Sequence, residues 1–317
     1  MYHWSKPYQQ MENMKVHSKK EETMTNELQI YIDGEYYPKS QAKISVYDHG
    51  FLYGDGIFEG IRSYNGVVFK LKEHIERMFR GAHAIMLNIP LTKEEMIQAV
   101  VETIRKNNMK DSYIRLIVSR GVGDLGLDPR KCAKPCVIII ADTINVKAGN
   151  ASEKGVSALI TWVRRNPVDA TTSEIKSLNY LNSILGKIEA NASGADEAIC
   201  LEQNGYIAEG VGENVFIVKN GEILTPPTST GALEGITADV VIKLCEKLDI
   251  KVTVTNLTAY MLFTADEAFF TGTAMEVVPI CEVNKRMIGT GKPGPITKKL
   301  MVEYKNTVAD PTNGVQI

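Results

Sequence analysis

Ser173-Glu174-Ile175-Lys176-Ser177-Leu178-Asn179-Tyr180-Leu181-Asn182-Ser183-Ile184-Leu185 is the stretch around which the chain is organised. Leu181, Ile184, Leu185 and Ile188 recur at helical spacing, which predicts a helix with one buried face. Lys176 falls at the leading edge, with Ser177 placed to cap the first turn. Tyr180, four residues on, would share a face with Lys176. An amine held beside apolar surface loses its proton more readily, as Schiff-base chemistry requires. Most lysines are simply solvated, so on this stretch alone both readings stand.

Length and composition narrow the field. A chain of 317 residues has room for one large or two ordinary domains. Its 44% hydrophobic and 23% charged residues are those of a globular protein. A net charge of −2 gives no footing for nucleic acid or an anionic membrane surface. No apolar run approaches a membrane span; Cys136-Val137-Ile138-Ile139-Ile140-Ala141 is strand-sized. Cysteines at 132, 136, 200, 245 and 281 lack zinc-ligand spacing and read as reduced thiols of a cytoplasmic protein. His49, His74 and His83 form no metal-ligand pattern either and read as surface or packing residues, so no metal is expected. Residues 1–27 lack the apolar core of a secretory signal and read as a disordered extension, with translation starting in practice at Met24.

Asp33-Gly34, Asn65-Gly66, Asn204-Gly205 and Asn220-Gly221 each separate two strand-like arms, which predicts extensive antiparallel sheet. Helices are interleaved with these hairpins. Leu71, Ile75, Met78, Phe79, Ala82, Ile85 and Met86 mark one helical face, and Thr92-Lys93-Glu94-Glu95 is a capping box opening another helix. Strands are expected at 113–119, 135–141 and 156–163. A helix over 237–248, strands near 252–254, 268–271 and 277–283, and a last helix from Pro295 follow. The polar, small residues from Asn145 to Gly155 mark a boundary. The expected organisation is a small domain over 28–145, a linker over 146–155 and a larger domain over 156–317. This mixture of hairpins and helices is α+β rather than a doubly wound parallel sheet.

Gly121-Val122-Gly123-Asp124-Leu125-Gly126 has the spacing of a dinucleotide loop, but Pro129 obstructs the helix that such a loop must open. Gly291-Lys292-Pro293 lacks the hydroxyl residue of a phosphate loop. At Gly235-Ile236-Thr237 a helix does begin, and its free N–H groups with the Thr237 hydroxyl would suit a phosphate. A plain helix cap accounts for Thr237 equally well. Arg77 lies beside apolar positions and needs an anion, either a glutamate or a phosphate. Glu209, before Gly210 and Gly212, is either a solvated strand-edge residue or a carboxylate aimed into a cleft where glycines admit a flat ligand.

Taken together, these pieces closely resemble the fold-type IV pyridoxal-phosphate enzymes, and within them the branched-chain amino acid aminotransferases. The resemblance runs from about Ile30 to Tyr304. It is carried by Tyr53-Gly54-Asp55-Gly56-Ile57-Phe58-Glu59-Gly60-Ile61-Arg62, Glu73-His74-Ile75-Glu76-Arg77 and Tyr113-Ile114-Arg115. Lys176-Ser177-Leu178-Asn179-Tyr180, Glu209-Gly210-Val211-Gly212-Glu213-Asn214, Gly235-Ile236-Thr237 and Gly272-Thr273-Ala274 complete it.

The resemblance implies a two-domain fold, with a smaller N-terminal α/β domain and a larger C-terminal pseudo-barrel domain. It also implies a pyridoxal 5′-phosphate cofactor joined to Lys176, which then carries the substrate's α-proton. Glu209 would face the pyridine nitrogen beside Gly212, and Tyr180 the phenolic oxygen. Arg77, Ile236, Thr237 and Thr273 would hold the phosphate. Tyr53, Phe58, Tyr113 and Arg115 would line the substrate side, with Arg115 matching the distal carboxylate of glutamate and Thr273 and Ala274 taking the α-carboxylate. The loop from Leu125 to Leu127 would reach into the site of a partner, since the family works as dimers. The implied reaction moves amino groups from leucine, isoleucine or valine to 2-oxoglutarate. D-amino acid aminotransferases and aminodeoxychorismate lyase share the fold. However, the loop after the Tyr113 strand lacks the arginine and histidine of the D-specific enzymes. Met275 departs from the small residue usual after the Thr-Ala pair.

Overall fold

The computed structural model describes residues 27–143 and 154–317. The expected N-terminal extension, apart from Glu27, and the expected linker, apart from Lys154 and Gly155, lie outside those residues. The described residues form two sheets, one of seven strands and one of nine.

The first sheet begins with β1 (Gln29–Ile32) and β2 (Glu35–Pro38), then α1 (His49–Tyr53), β3 (Gly56–Tyr64) and β4 (Val67–Phe69). After α2 (Leu71–Ala84) and α3 (Lys93–Lys106) come β5 (Ser112–Ser119) and β6 (Cys136–Asp142). The Asp-Gly and Asn-Gly turns form where expected. Asp33 (φ 52°) with Gly34 (101°), and Asn65 (50°) with Gly66 (86°), are left-handed at both central positions. That geometry matches the twist of the flanking strands. Thr92 accepts from the Glu95 amide while the Glu95 side chain accepts from the Thr92 amide, so the capping box is complete. The apolar stripes of both helices meet the sheet in one core containing Leu71, Ile75, Met78, Met96, Val100 and Ile104.

The second sheet is built from β7 (Val156–Arg164), β8 (Glu197–Leu201), β9 (Ile207–Gly210), β10 (Asn214–Lys219) and β11 (Glu222–Thr225). It is completed by β12 (Val252–Val254), β13 (Glu267–Gly272), β14 (Glu276–Val283) and β15 (Arg286–Met287). Around it lie α4 (Leu181–Ser193), α5 (Ile236–Lys247), α6 (Ala259–Phe263) and α7 (Pro295–Ala309). The strand order is β12-β11-β10-β13-β14-β7-β8-β9. Consecutive strands β9 and β10 lie far apart in that order, yet the Gly210 N–H donates to the Glu213 carbonyl at 2.7 Å. The sheet therefore curls back on itself, and the fold is the α+β arrangement of two domains with a pseudo-barrel in the second half.

Two expectations are corrected. The last strand, β16 (Gly314–Gln316), returns to the first sheet, whose order is β16-β4-β3-β5-β6-β1-β2. A division that assigns all of 156–317 to the second unit misplaces this strand. Its pairing covers the open edge of β4, and Gly314 permits the approach, since a Cβ there would lie 2.4 Å from the Val68 carbonyl oxygen. The helix expected across Lys176 begins only at Leu181, and Ser177 caps nothing. Its buried face is not the expected one either: Leu181 (66% exposed), Ile184 (51%) and Ile188 (57%) point outward. Gly186 and Ala190 face the sheet instead. A Cβ at Gly186 would be 2.9 Å from Val211, so the helix packs too closely for long side chains on that side.

Candidate active site

The lysine segment is not helical because it is held against β3. Phe58 donates its amide to the Lys176 carbonyl at 2.9 Å, Leu178 donates to the Gly56 carbonyl at 3.0 Å, and Ile57 bridges Ser177. The Asn179 side chain donates to the Gly54 carbonyl at 2.9 Å. Lys176 is thereby fixed at the seam between the two sheets. Its Nζ lies 2.9 Å from the Tyr180 hydroxyl and 4.7 Å from the centre of the Phe58 ring.

Two adjoining cavities open at this seam. Lys176, Gly212, Asn214 and Leu233 form walls of both. Glu209, on β9, lines one of them and is buried. Its Oε2 accepts from the Leu233 amide at 2.8 Å, and its Oε1 lies 3.1 Å from Arg165 Nε. Burial pushes the Glu209 carboxyl above the usual range, while Arg165 opposes that rise. Arg165 is buried as well, donating to Asn182 and Ser183 at 3.0 Å and to the Gly210 carbonyl. Sequence reasoning missed this residue. The available signal was the in–out alternation along Thr161-Trp162-Val163-Arg164-Arg165, which turns Arg165 inward. Half-buried Glu213 lines the same cavity, and burial together with the Glu197 charge pushes its carboxyl up to about 8.

The other cavity gathers Arg77, Ile236, Thr237 and Thr273, from separate stretches of sequence, with Tyr113 and Ala274 at its edge. Helix α5 starts here at Ile236, so its unpaired amides and dipole favour an anion. Of the two anions expected for Arg77, the structure supplies the glutamate. Its guanidinium grips Glu59 with two 2.7 Å hydrogen bonds and donates to the Glu234 carbonyl at 2.6 Å, yet it also lines the cavity. Glu59 is fully buried on β3 and accepts from His74 at 2.8 Å too. Burial would raise its pKa, but Arg77 and His74 prevail and hold it at about 2. A glutamate within the apolar run Ile57-Phe58-Glu59-Gly60-Ile61 was the signal for this ion pair. Burial pushes His74 down, which fits a neutral ring donating a hydrogen bond from Nδ1–H to Glu59.

The remaining expected residues divide. Phe58 packs edge-on against Tyr180 at 4.9 Å, and the Arg115 guanidinium stacks over Phe58 at 4.5 Å while donating to the Tyr113 hydroxyl at 3.3 Å. Gly60 makes room for Tyr113: a Cβ there would lie 2.2 Å from its hydroxyl. Phe58, Arg115, Tyr53 and Leu125 all stand outside the walls of the two cavities of their own chain, whereas Tyr113 lines one. Tyr53 and Leu125 are joined to each other, Tyr53 donating to the Leu125 carbonyl at 2.7 Å, and Leu125 is exposed. No cluster of potential metal ligands occurs among the described residues.

Lys176 thus stands half-buried at the sheet seam, between the start of α5 and the buried carboxylate of Glu209. The chain belongs to the amino-transferase class IV family, which its residues 56–283 match. It is 53% identical over 279 residues to a Methanocaldococcus jannaschii protein provisionally named branched-chain-amino-acid aminotransferase, covering 88% of this chain and 96% of that one. The branched-chain amino acid aminotransferase of Escherichia coli superposes with a TM-score of 0.86 at 36% identity, covering 88% of this chain and 93% of that one. The T.th. branched-chain amino acid aminotransferase, solved with N-(5′-phosphopyridoxyl)-L-glutamate, gives a TM-score of 0.84 at 37% identity, over 89% and 94% of the two chains.

Proposed function

We propose that the protein transfers amino groups from L-leucine, L-isoleucine and L-valine to 2-oxoglutarate, with pyridoxal 5′-phosphate as cofactor. The observation that carries this reading is the position of Lys176 Nζ. It lies 2.9 Å from the Tyr180 hydroxyl, on the wall shared by a cavity with a buried carboxylate and a cavity with a helix N-terminus. The donors and acceptors fit that group: the cradle at α5 suits a phosphate, and Gly212 presents bare backbone to a flat ring, with nothing within 4 Å of where its Cβ would be. The relatives are named for branched-chain substrates, and nothing favours the D-amino acid or lyase alternatives.

When bound, pyridoxal phosphate supplies an electrophilic carbon for the amino group and a ring that withdraws electrons from the substrate's α-carbon. The chain's own groups do the rest. Lys176 takes the α-proton and returns it, and Tyr180 holds the Lys176 amine in place through their shared hydrogen bond. Glu209, whose charged form Arg165 favours against burial, would face the ring nitrogen and favour its protonated form. Arg77, the Ile236 and Thr237 amides and Thr273 hold the phosphate. Amides near Thr273 and Ala274 receive the substrate carboxylate. Phe58 and Tyr113 offer apolar surface to an aliphatic side chain, and Arg115, stacked on both, is the cation for glutamate's distal carboxylate.

The outward stripe of Leu181, Ile184, Leu185 and Ile188 supports a homodimer, because a contiguous apolar face calls for a partner. In it the exposed Leu125–Leu127 loop would reach a neighbour's site, which accounts for its distance from its own. All five cysteines are free, in keeping with a cytoplasmic protein.

The test is twofold. Borohydride should fix the cofactor on Lys176, and Lys176→Ala should lose about 10²–10⁴-fold or more in turnover with the loss of a positioned proton carrier. L-leucine, L-isoleucine and L-valine should each donate to 2-oxoglutarate, with D-alanine poor or inert. Faster turnover of D-alanine than of L-leucine would overturn the substrate assignment.

A further inference from the structure

Among the described residues, three buried side-chain polar atoms find no hydrogen-bond partner: the Tyr36 hydroxyl, Arg165 Nε and Thr271 Oγ1. Arg165 Nε faces Glu209 as a charge contact. Tyr36 belongs to the edge strand of the first sheet, with Lys106 over its ring. Thr271 is different. It is 1% exposed, yet it lines the cavity that holds Arg77 and the start of α5. A buried hydroxyl without a partner forfeits free energy, so its persistence beside a cavity points to something that enters there.

Strand register shows which way Thr271 faces. On β10 and β13, Phe216 pairs with Phe269, and their rings stack at 5.0 Å in the cluster that packs against Val240, Val241 and Leu244 of α5. Side chains two residues apart share a face of a sheet. Moving two positions along each strand gives the pair Asn214 and Thr271, on that same face. Asn214 lies at the N-terminal end of α5: it donates to the Leu233 carbonyl at 2.8 Å, and a Cβ on Gly235 would sit 1.9 Å from its Oδ1. Thr271, directly across from Asn214, therefore lies beneath the same helix end.

An anion seated there meets the α5 amides and Arg77 from one side and the Thr271 hydroxyl from below. We propose that Thr271 is a further phosphate-holding residue, its hydroxyl donating a hydrogen bond to a phosphoryl oxygen of the cofactor. This rests on reading the cavity as the phosphate end of a pyridoxal phosphate site. That bond forms only on loading, since Thr271 Oγ1 has no hydrogen-bond partner among the described residues.

Thr271→Val keeps the shape and removes the hydroxyl, and Thr271→Ser keeps the hydroxyl. The three apoproteins would be titrated with pyridoxal phosphate, with pyridoxal and with inorganic phosphate, and melted with and without each. The valine variant should bind pyridoxal phosphate about tenfold or more weaker, the loss of one hydrogen bond to a charged group. Its affinity for pyridoxal should stay unchanged, and the thermal shift with inorganic phosphate should shrink. The serine variant should stay within about twofold of wild type, having kept the donor. Apo Thr271→Val should melt close to apo wild type, because the hydroxyl holds no hydrogen bond to another group among the described residues. Wild-type affinity in the valine variant, an equal loss for pyridoxal, or a destabilised apo variant would each overturn the proposal. Failure of the wild-type protein to bind pyridoxal phosphate would instead remove the site assignment beneath it.

Discussion

Glu59→Gln exposes how the anion cradle is paid for by the fold. Glu59 accepts two hydrogen bonds from Arg77 at 2.7 Å and one from His74 at 2.8 Å, with no exposure to water. Its carboxyl is held from 4.5 down to about 2 against the opposing effect of burial. That difference corresponds to about 3 kcal/mol favouring the folded state at neutral pH. Glutamine keeps the volume but turns an NH₂ toward the guanidinium and leaves Arg77 buried without its anion. Breaking such a pair from one side costs about 3–5 kcal/mol. The sign with pH follows from the depressed value. Glu59 stabilises fully above about 4.5 and loses its contribution as pH falls toward about 2. Urea unfolding of both apoproteins at a series of pH values should therefore show a wide gap at pH 7 that narrows in acid, as the wild type loses its own pair. Saturating pyridoxal phosphate should also narrow the gap, by offering Arg77 another anion. Unfolding curves that stay parallel across the pH range, or a loss below about 1 kcal/mol at pH 7, would refute the ion-pair argument.

Other consequences are equally open to measurement. Arg165→Gln should lower kcat and move the acid limb of its pH profile upward, because burial already raises Glu209 and Arg165 is the main charge opposing it; Arg165→Lys should restore part of the profile. Arg115→Ala should raise KM for 2-oxoglutarate and glutamate by about tenfold or more, the worth of a charge-assisted hydrogen bond, with a smaller change for leucine. Glu213→Gln should match wild type in melting temperature below about pH 4.5 and exceed it at pH 9. The wild-type carboxyl, raised to about 8, stabilises least once pH has risen through that value.

What the sequence reveals and what it conceals have separate physical causes. The Asp-Gly and Asn-Gly turns are legible because left-handed backbone at two adjacent positions admits few residue pairs. The capping box is legible because both of its hydrogen bonds are local. The start of α5 is legible near Gly235-Ile236-Thr237 for the same reason. The spacing of Leu181, Ile184, Leu185 and Ile188 locates a helical stripe correctly, but periodicity carries no information on what covers that stripe. It also says nothing of where the helix starts, because residues 176–178 are held by β3, more than a hundred positions earlier. Arg165 escapes notice because its partner, Glu209, becomes a neighbour only when β9 curls in beside the end of β7. Thr271 escapes altogether: a threonine in a strand is ordinary until the structure shows that its hydroxyl has no partner.

The seam itself explains why the site needs both sheets. Glu276 has a φ of 62°, a left-handed conformation that costs a non-glycine residue energy, at the point where the Thr273–Met275 turn enters β14. Two groups from β3 hold it there: Arg62 at 3.0 Å and the Tyr64 hydroxyl at 3.0 Å, while Arg62 also donates to the Ala274 carbonyl at 3.2 Å. The same strand holds Lys176 through Phe58 and anchors Arg77 through Glu59. One strand of the first sheet thus positions Lys176, Arg77 and the Thr273–Met275 turn, although the lysine and the turn belong to the second half of the chain. A shift of β3 relative to the second sheet would displace all three together, so the alignment of the site depends on the packing of that single strand.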